Sequence, residues 1–151
     1  MTDFQPQHAG FEEKVRQSFA RQSVMKTIGA VMTRVAPGEV EIEMAFSPSL
    51  SQQHGFIHAG IITTILDSAC GYAALTLMPA DAAVLTVEFK VNLLSPAEGE
   101  KMIARGRVTK PGRTITVCAG DVFALTAGRE KLIATMLATM IQLRDRSGMS
   151  D

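Results

Sequence analysis

The sequence predicts an α+β fold in which a curled antiparallel sheet wraps around one long central helix, and three patterns predict it. The segment from Ala59 to Leu77 is apolar around most of a helical circumference, the mark of a helix with no solvent face. Four strand-like runs follow it, joined by connections too short for parallel crossovers, so their sheet is antiparallel. A long apolar helix beside such a sheet is buried most economically when the sheet curls around it.

Each element has its own signal. Phe11, Val15 and Phe19 recur at helical spacing among Glu12, Glu13, Lys14, Arg16 and Arg21, which predicts an amphipathic first helix on a surface. Strand-like runs Thr27 to Ala36 and Glu39 to Phe46 flank Ala36-Pro37-Gly38. In the second of them Val40, Ile42, Met44 and Phe46 alternate with Glu39, Glu41 and Glu43, which reads as a hairpin with one solvated face. Ser47 to Ile57 is a polar loop, the central helix follows, and Pro79 stops it. The last strands are expected at Ala83 to Leu94, Lys101 to Lys110, Thr114 to Thr126 and Leu132 to Arg144. Turn signals at Ser95-Pro96, Pro111-Gly112 and Ala127-Gly128 separate them.

A length of 151 residues with 46% apolar content predicts a single domain spanning 1–151, with 1–10 and 145–151 flexible. Fifteen acidic and fifteen basic side chains give zero net charge with no block of one sign, which argues against a nucleic-acid partner. Cys70 and Cys118 lie in apolar segments without CxxC spacing, as expected of reduced, buried thiols in the cytoplasm. The N-terminus lacks a signal-peptide core, and no uncharged run reaches the roughly 20 residues that span a bilayer, so no membrane association is expected. No HxH or HExxH spacing supports a metal site, and no GxSxG marks a serine nucleophile.

The chemical signal is Asp67, a lone carboxylate inside the apolar helix. A buried carboxylate without a partner costs several kcal/mol, so it has donors or a raised pKa, and both conditions suit a catalytic acid or base. The alternative is a structural carboxylate that caps a backbone or pairs across an interface. Ahead of it, Ala59 and Gly60 stand where the helix begins, and a helix start offers free N–H groups and a favourable dipole to a developing negative charge. Asp67 is about two turns further on, roughly 10–12 Å along the axis. One chain therefore closes both around one carbonyl only if the loop before the helix folds back; otherwise a partner subunit contributes.

Gln52, Gly55, His58-Ala59-Gly60 and Asp67 occur in that order, followed by Thr86-Val87-Glu88-Phe89, Leu94-Ser95-Pro96 and Pro111-Gly112-Arg113-Thr114. With these motifs the chain resembles a hotdog-fold acyl-CoA thioesterase, of the group typified by phenylacetate-pathway and 4-hydroxybenzoyl-CoA type enzymes. The resemblance implies hydrolysis of an acyl-CoA or related thioester without a cofactor, in a homodimer or dimer of dimers with sites across the dimer interface. It gives Asp67 the part of general base or nucleophile, Gln52 that of holding water or the carboxylate, and Thr86 that of positioning water. The family usually has HGG where this chain has His58-Ala59-Gly60, and the backbone N–H of the middle residue serves the oxyanion hole; Ala59 keeps that N–H and adds a methyl. Some relatives carry a hydroxyl one turn after the carboxylate, where this chain has Gly71.

Other residues keep two readings. His58 either packs the loop ahead of the helix or helps polarise the thioester carbonyl. Arg113 is either solvated or, as the resemblance implies, meets the CoA phosphates, where a guanidinium suits bidentate contact. Gly55 and Phe89 are assigned to substrate binding by the same resemblance. Two rival functions stand beside hydrolysis: a non-catalytic acyl-CoA binding or sensing module, and a hydratase or dehydratase acting on acyl thioesters.

Overall fold

The computed structural model describes residues 4–144 together with 148 and 149. Of the ends expected to be flexible, 1–3, 145–147, 150 and 151 lie outside the described residues. Phe4 packs against the core, and Gln7 Nε2 donates to Leu77 O at 2.8 Å.

Helix α1 (Phe11–Arg21) forms where the periodicity places it, burying Val15 and Ser18. Acidic Glu12 and Glu13 in its first turn and Arg21 in its last complement the helix dipole. Gln22 is extended and breaks the helix, and a further helix α2 (Ser23–Ile28) follows, ended by Gly29 in the left-handed conformation with φ +70°. The sequence reading assigns no helix here and starts a strand at Thr27, over the last two residues of α2. Six residues carrying β-branched Val24, Thr27 and Ile28 show no helical period, so the first strand is shorter than expected.

Strands β1 (Ala30–Ala36) and β2 (Glu39–Ala45) form the expected hairpin. The outer face of β2 meets β4 in ion pairs: Glu41 accepts from Arg105 Nε at 2.7 Å and Glu43 from Lys101 Nζ at 2.6 Å. Helix α3 (Ala59–Leu75) is the central helix, and Ala69 to Leu75 are all buried. It ends two residues before the expected limit, in turn hydrogen bonds from Leu77 and Met78 to Ala74 and Leu75.

Strands β3 (Ala83–Leu93), β4 (Lys101–Lys110), β5 (Ile115–Thr126) and β6 (Arg129–Leu143) complete a six-stranded sheet in the order β1-β2-β4-β5-β6-β3, with every pairing antiparallel. Two readings change. Strand β6 begins three residues earlier than expected, because Ala127 and Gly128 both take positive φ (48° and 74°) and make a two-residue hairpin turn. And β3 does not neighbour β4. After β3 the chain crosses under the start of α3, where Ile57 N donates to Ala97 O at 2.9 Å and Phe46 N to Glu100 O at 3.0 Å. It then enters the sheet beside β2, which leaves β3 on the edge.

The sheet curls around α3, and glycines let them meet. A Cβ at Gly106 of β4 would lie 2.3 Å from the Ala69 carbonyl carbon, and one at Gly120 of β5 would lie 2.7 Å from Leu66 Cδ1. Ile62, Ile65 and Leu66 of the helix pack with Met102, Met136 and Met140 of the sheet, all fully buried. Both cysteines are buried and free, and burial pushes the Cys118 thiol up to about 12. Among the described residues no helix is long and apolar enough to cross a membrane.

Candidate functional site

The candidate residues fall at two places along α3. Asp67, half-buried at mid-helix, accepts a 2.8 Å hydrogen bond on Oδ1 from Thr86 Oγ1 of β3. Thr86 stands opposite the buried Met140 on β6, so it points toward the helix, and the sheet register shifts immediately after it, leaving Val87 unpaired as a bulge. Bulges of this kind re-aim a side chain beside a site. Burial raises the Asp67 pKa above its ordinary value, and the Thr86 hydrogen bond offsets part of that rise. The carboxylate opens on a cavity of ≈ 190 Å³ whose lining includes Gln22, Ser68, Gly71 and Tyr72.

The start of α3 lines a different cavity, of ≈ 550 Å³, with Gln52, His58, Ala59, Leu93 and Ser95 on its walls. His58 is the N-cap: its Nδ1 accepts from Gly60 N at 2.9 Å, satisfying one of the free donors of the helix start. Accepting at Nδ1 leaves the neutral ring with its proton on Nε2, a donor on an exposed side chain. The Ile61 and Ile62 N–H groups are taken by His58 O, so Ala59 N–H is the one of the first four helix donors without an acceptor among the described residues.

The loop ahead of the cap is closed on itself. Gln52 Oε1 accepts from His54 N, Gly55 N donates to Gln52 O at 3.0 Å, and Gly55 takes φ +85°, a conformation that favours glycine. With Oε1 engaged, the Gln52 amide nitrogen is the end left for the cavity. Phe89 is 42% exposed in β3, and Arg113 is exposed in the turn before β5; neither lines either cavity.

The structure thus brings Asp67 to Thr86, and Gln52 to His58 and Ala59, but does not bring the two groups together: eight helical residues, about 12 Å, separate Ala59 from Asp67. Gln22, Ser68 and Tyr72 were missed by the sequence reading as neighbours of Asp67. Ser68 and Tyr72, four residues apart, share the helix face next to that of Asp67 and Gly71, a signal the sequence carries. Gln22 comes from the break between α1 and α2, which it does not. Among the described residues no group of three His, Cys, Asp or Glu side chains could hold a metal ion.

The family described as the Thioesterase superfamily matches residues 54–130, just over half of the chain and a span that holds His58, Asp67, Thr86 and Arg113. A crystal structure of a thioesterase family protein from Silicibacter pomeroyi is 57% identical, covers 90% of this chain and 100% of its own, and superposes with a TM-score of 0.89. Human acyl-coenzyme A thioesterase 13 is 26% identical over 124 residues, 81% of this chain and 86% of that protein. The PaaI protein of the E. coli phenylacetic acid degradation operon is 15% identical, covers 88% of this chain and 93% of its own, and shares the fold with a TM-score of 0.80.

Proposed function

The chain belongs to the thioesterase superfamily and is a thioester hydrolase, and from that premise we propose that it cleaves an acyl-CoA with Asp67 as the attacking base or nucleophile, in a site completed by a second copy of the chain. The observation that carries the reading is the half-buried Asp67 carboxylate held by Thr86 at 2.8 Å beside an open cavity.

The carboxylate attacks the thioester carbonyl carbon directly or takes a proton from the water that attacks it. Negative charge then grows on the carbonyl oxygen, and the unused Ala59 N–H at the positive end of α3 is aimed at such a charge, with His58 Nε2 as a second donor. Collapse of the tetrahedral centre breaks the C–S bond. On the base route the departing thiolate takes the proton that Asp67 removed from water and the free acid leaves. On the nucleophile route the thiolate takes a proton from water, and a water molecule then hydrolyses the Asp67–acyl anhydride, releasing the acid and restoring the carboxylate. Gln52 holds water through its amide nitrogen, Gly55 shapes the loop, and Gly60 leaves room for the His58 cap. Arg113 serves the CoA phosphates and Phe89 the substrate channel.

The distance between the two half-sites is what calls for the second copy. Strand β3 is an edge, with Leu85, Val87, Phe89 and Leu93 each 42–54% exposed. An exposed edge this long and apolar is a template for another strand. Antiparallel self-pairing centred on Phe89 sets Glu88 against Lys90 of the partner subunit and brings the Leu85–Thr86 end beside Leu93 of the partner subunit. The Asp67 cavity of one subunit then adjoins the Ala59 cavity of the other.

Steady-state hydrolysis of short, medium, long and aryl acyl-CoAs by the wild type and Asp67→Asn tests the reading. We expect turnover by the wild type and a loss of at least about 10²-fold in kcat for the variant, the scale for losing a positioned base. An Asn variant as active as wild type removes Asp67 from the chemistry, and binding without turnover by the wild type makes the protein an acyl-CoA sensor.

A further inference from the structure

Thr86 has one hydroxyl proton and two acceptors within its reach. Asp67 Oδ1 lies 2.8 Å from Thr86 Oγ1, and Met140 Sδ lies 3.4 Å from the same oxygen. The sheet builds this arrangement: Met140 of β6 stands directly opposite Thr86 of β3 and, on its other side, opposite Thr116 of β5, and it is fully buried. Met136, four residues earlier on the same face, stands opposite Val91 and Gly120, where an unbranched side chain fills the space that a glycine leaves. Met140 faces no glycine across the sheet. Its sulfur meets a hydroxyl instead.

A thioether is a weak acceptor, whereas a hydrogen bond to an ionised carboxylate is roughly twice as strong as one between neutral groups. While Asp67 is ionised, the Thr86 proton therefore belongs to it. Turnover removes that charge on either route of the proposed mechanism, because the carboxylate gains a proton from water or an acyl group from the substrate. Its oxygen is then an ordinary neutral acceptor. A hydroxyl proton turns about the C–O bond without any movement of the threonine, whose β-branched side chain is stiff at χ1. The sulfur offers the turned proton an acceptor inside the core, where an unbonded hydroxyl is costly.

We propose that Met140 is a positioning residue for the hydrolysis: its thioether is the second seat of the Thr86 hydroxyl, taken when Asp67 loses its negative charge in mid-turnover. The inference rests on the hydrolase reading above. Thr86 keeps its proton throughout, and no covalent bond of Met140 changes. The sulfur stabilises neutral Asp67 and not the ionised form, so its loss makes the carboxylate a weaker base. The ionisable groups on the surrounding elements are otherwise engaged. Tyr72 Oη is bonded to Gln22 and Ser18, and burial pushes up the thiols of Cys70 on α3 and Cys118 on β5. Glu88 of β3 accepts from Thr139, which points away from the helix, and Arg107 of β4 pairs with Asp121 of β5 at 2.8 Å.

The test is the pH dependence of kcat and kcat/KM, on the best acyl-CoA of the panel above, for wild type, Met140→Leu, Met140→Ile, Met136→Leu, Thr86→Val and the double variant Thr86→Val with Met140→Leu. Leu keeps the volume and Ile adds a β-branch suited to a strand, so the test does not depend on one packing solution. The acid limb of kcat/KM reports the essential base of the free enzyme. Both sulfur-free variants at 140 should move that limb about 0.5 pH unit lower and cut plateau kcat about threefold, with KM within about twofold. Met136→Leu should leave the limb in place, and Met140→Leu should shift nothing further once Thr86 is Val. An unmoved limb in both variants at 140, an equal shift in Met136→Leu, or a full shift without the Thr86 hydroxyl overturns the role of Met140 and leaves the hydrolase reading standing. A wild type that turns over none of the panel overturns both.

Discussion

Asp67 is ionised at a cost to folding. Its pKa is raised in the folded protein, chiefly by burial, so between the ordinary carboxylate value and that raised value the folded state binds more protons than the unfolded state. Stability on this account is highest below the unfolded pKa, falls as pH rises through the folded pKa, and stays lower above it. The same ionisation is the one the proposed mechanism requires, so activity should rise with pH where this stability falls. Asp67→Asn keeps an oxygen to accept from Thr86 and removes the charge. It should therefore melt higher than wild type at neutral pH, with the difference closing in acid. A variant that melts lower than wild type at pH 7 would mean that the Thr86 hydrogen bond, and not desolvation, governs this carboxylate.

Among the elements, α3 is the one the sequence describes best, because a helix buried on nearly every side writes its burial into every residue. Asp67 is legible for the same reason: one charge among Ile62, Ile65, Leu66 and Ala69 stands out without coordinates. Helix α2 is illegible because six residues are too few to show a period. The edge position of β3 is equally hidden, since pairing depends on where the chain between Leu94 and Glu100 crosses and not on any property of β3 itself. The glycines sit between these cases. Gly106 looks like a weak point in a strand, yet its missing Cβ is what lets β4 touch the Ala69 backbone. Gly106→Ala places a carbon 2.3 Å from backbone that cannot yield as a side chain would. It should cost about 3 kcal/mol, at the upper end for overpacking, by chemical denaturation. A cost under about 0.5 kcal/mol would show that the helix is free to lift from the sheet.

At the scale of the whole molecule, the two cavities lie on one helix yet at opposite stations of it, and only the lengthwise arithmetic of that helix was available from the sequence. From eight residues of rise it follows that one carbonyl is not served by both ends, and the expectation of a second subunit came from there. What the sequence did not carry is the lining: Gln22, Leu93 and Ser95 arrive from a helix break, the end of edge strand β3 and a crossing loop, whose positions tertiary packing decides.

The proposed division of the site between two copies would give the molecule a form of heredity that one-chain enzymes lack. Ala59→Pro deletes the spare N–H at the first helical position, where proline is tolerated and the extended His58 before it already suits one. Alone it should be nearly inactive, as should Asp67→Asn. Refolded together, the two dead proteins should make a live one: each mixed pair collects both lesions in one site and leaves the other whole, so random pairing of twofold dimers restores roughly a quarter of wild-type activity. Two lesions confined to one chain would show no such rescue, and a mixture as inactive as its parents would place the whole site in a single subunit.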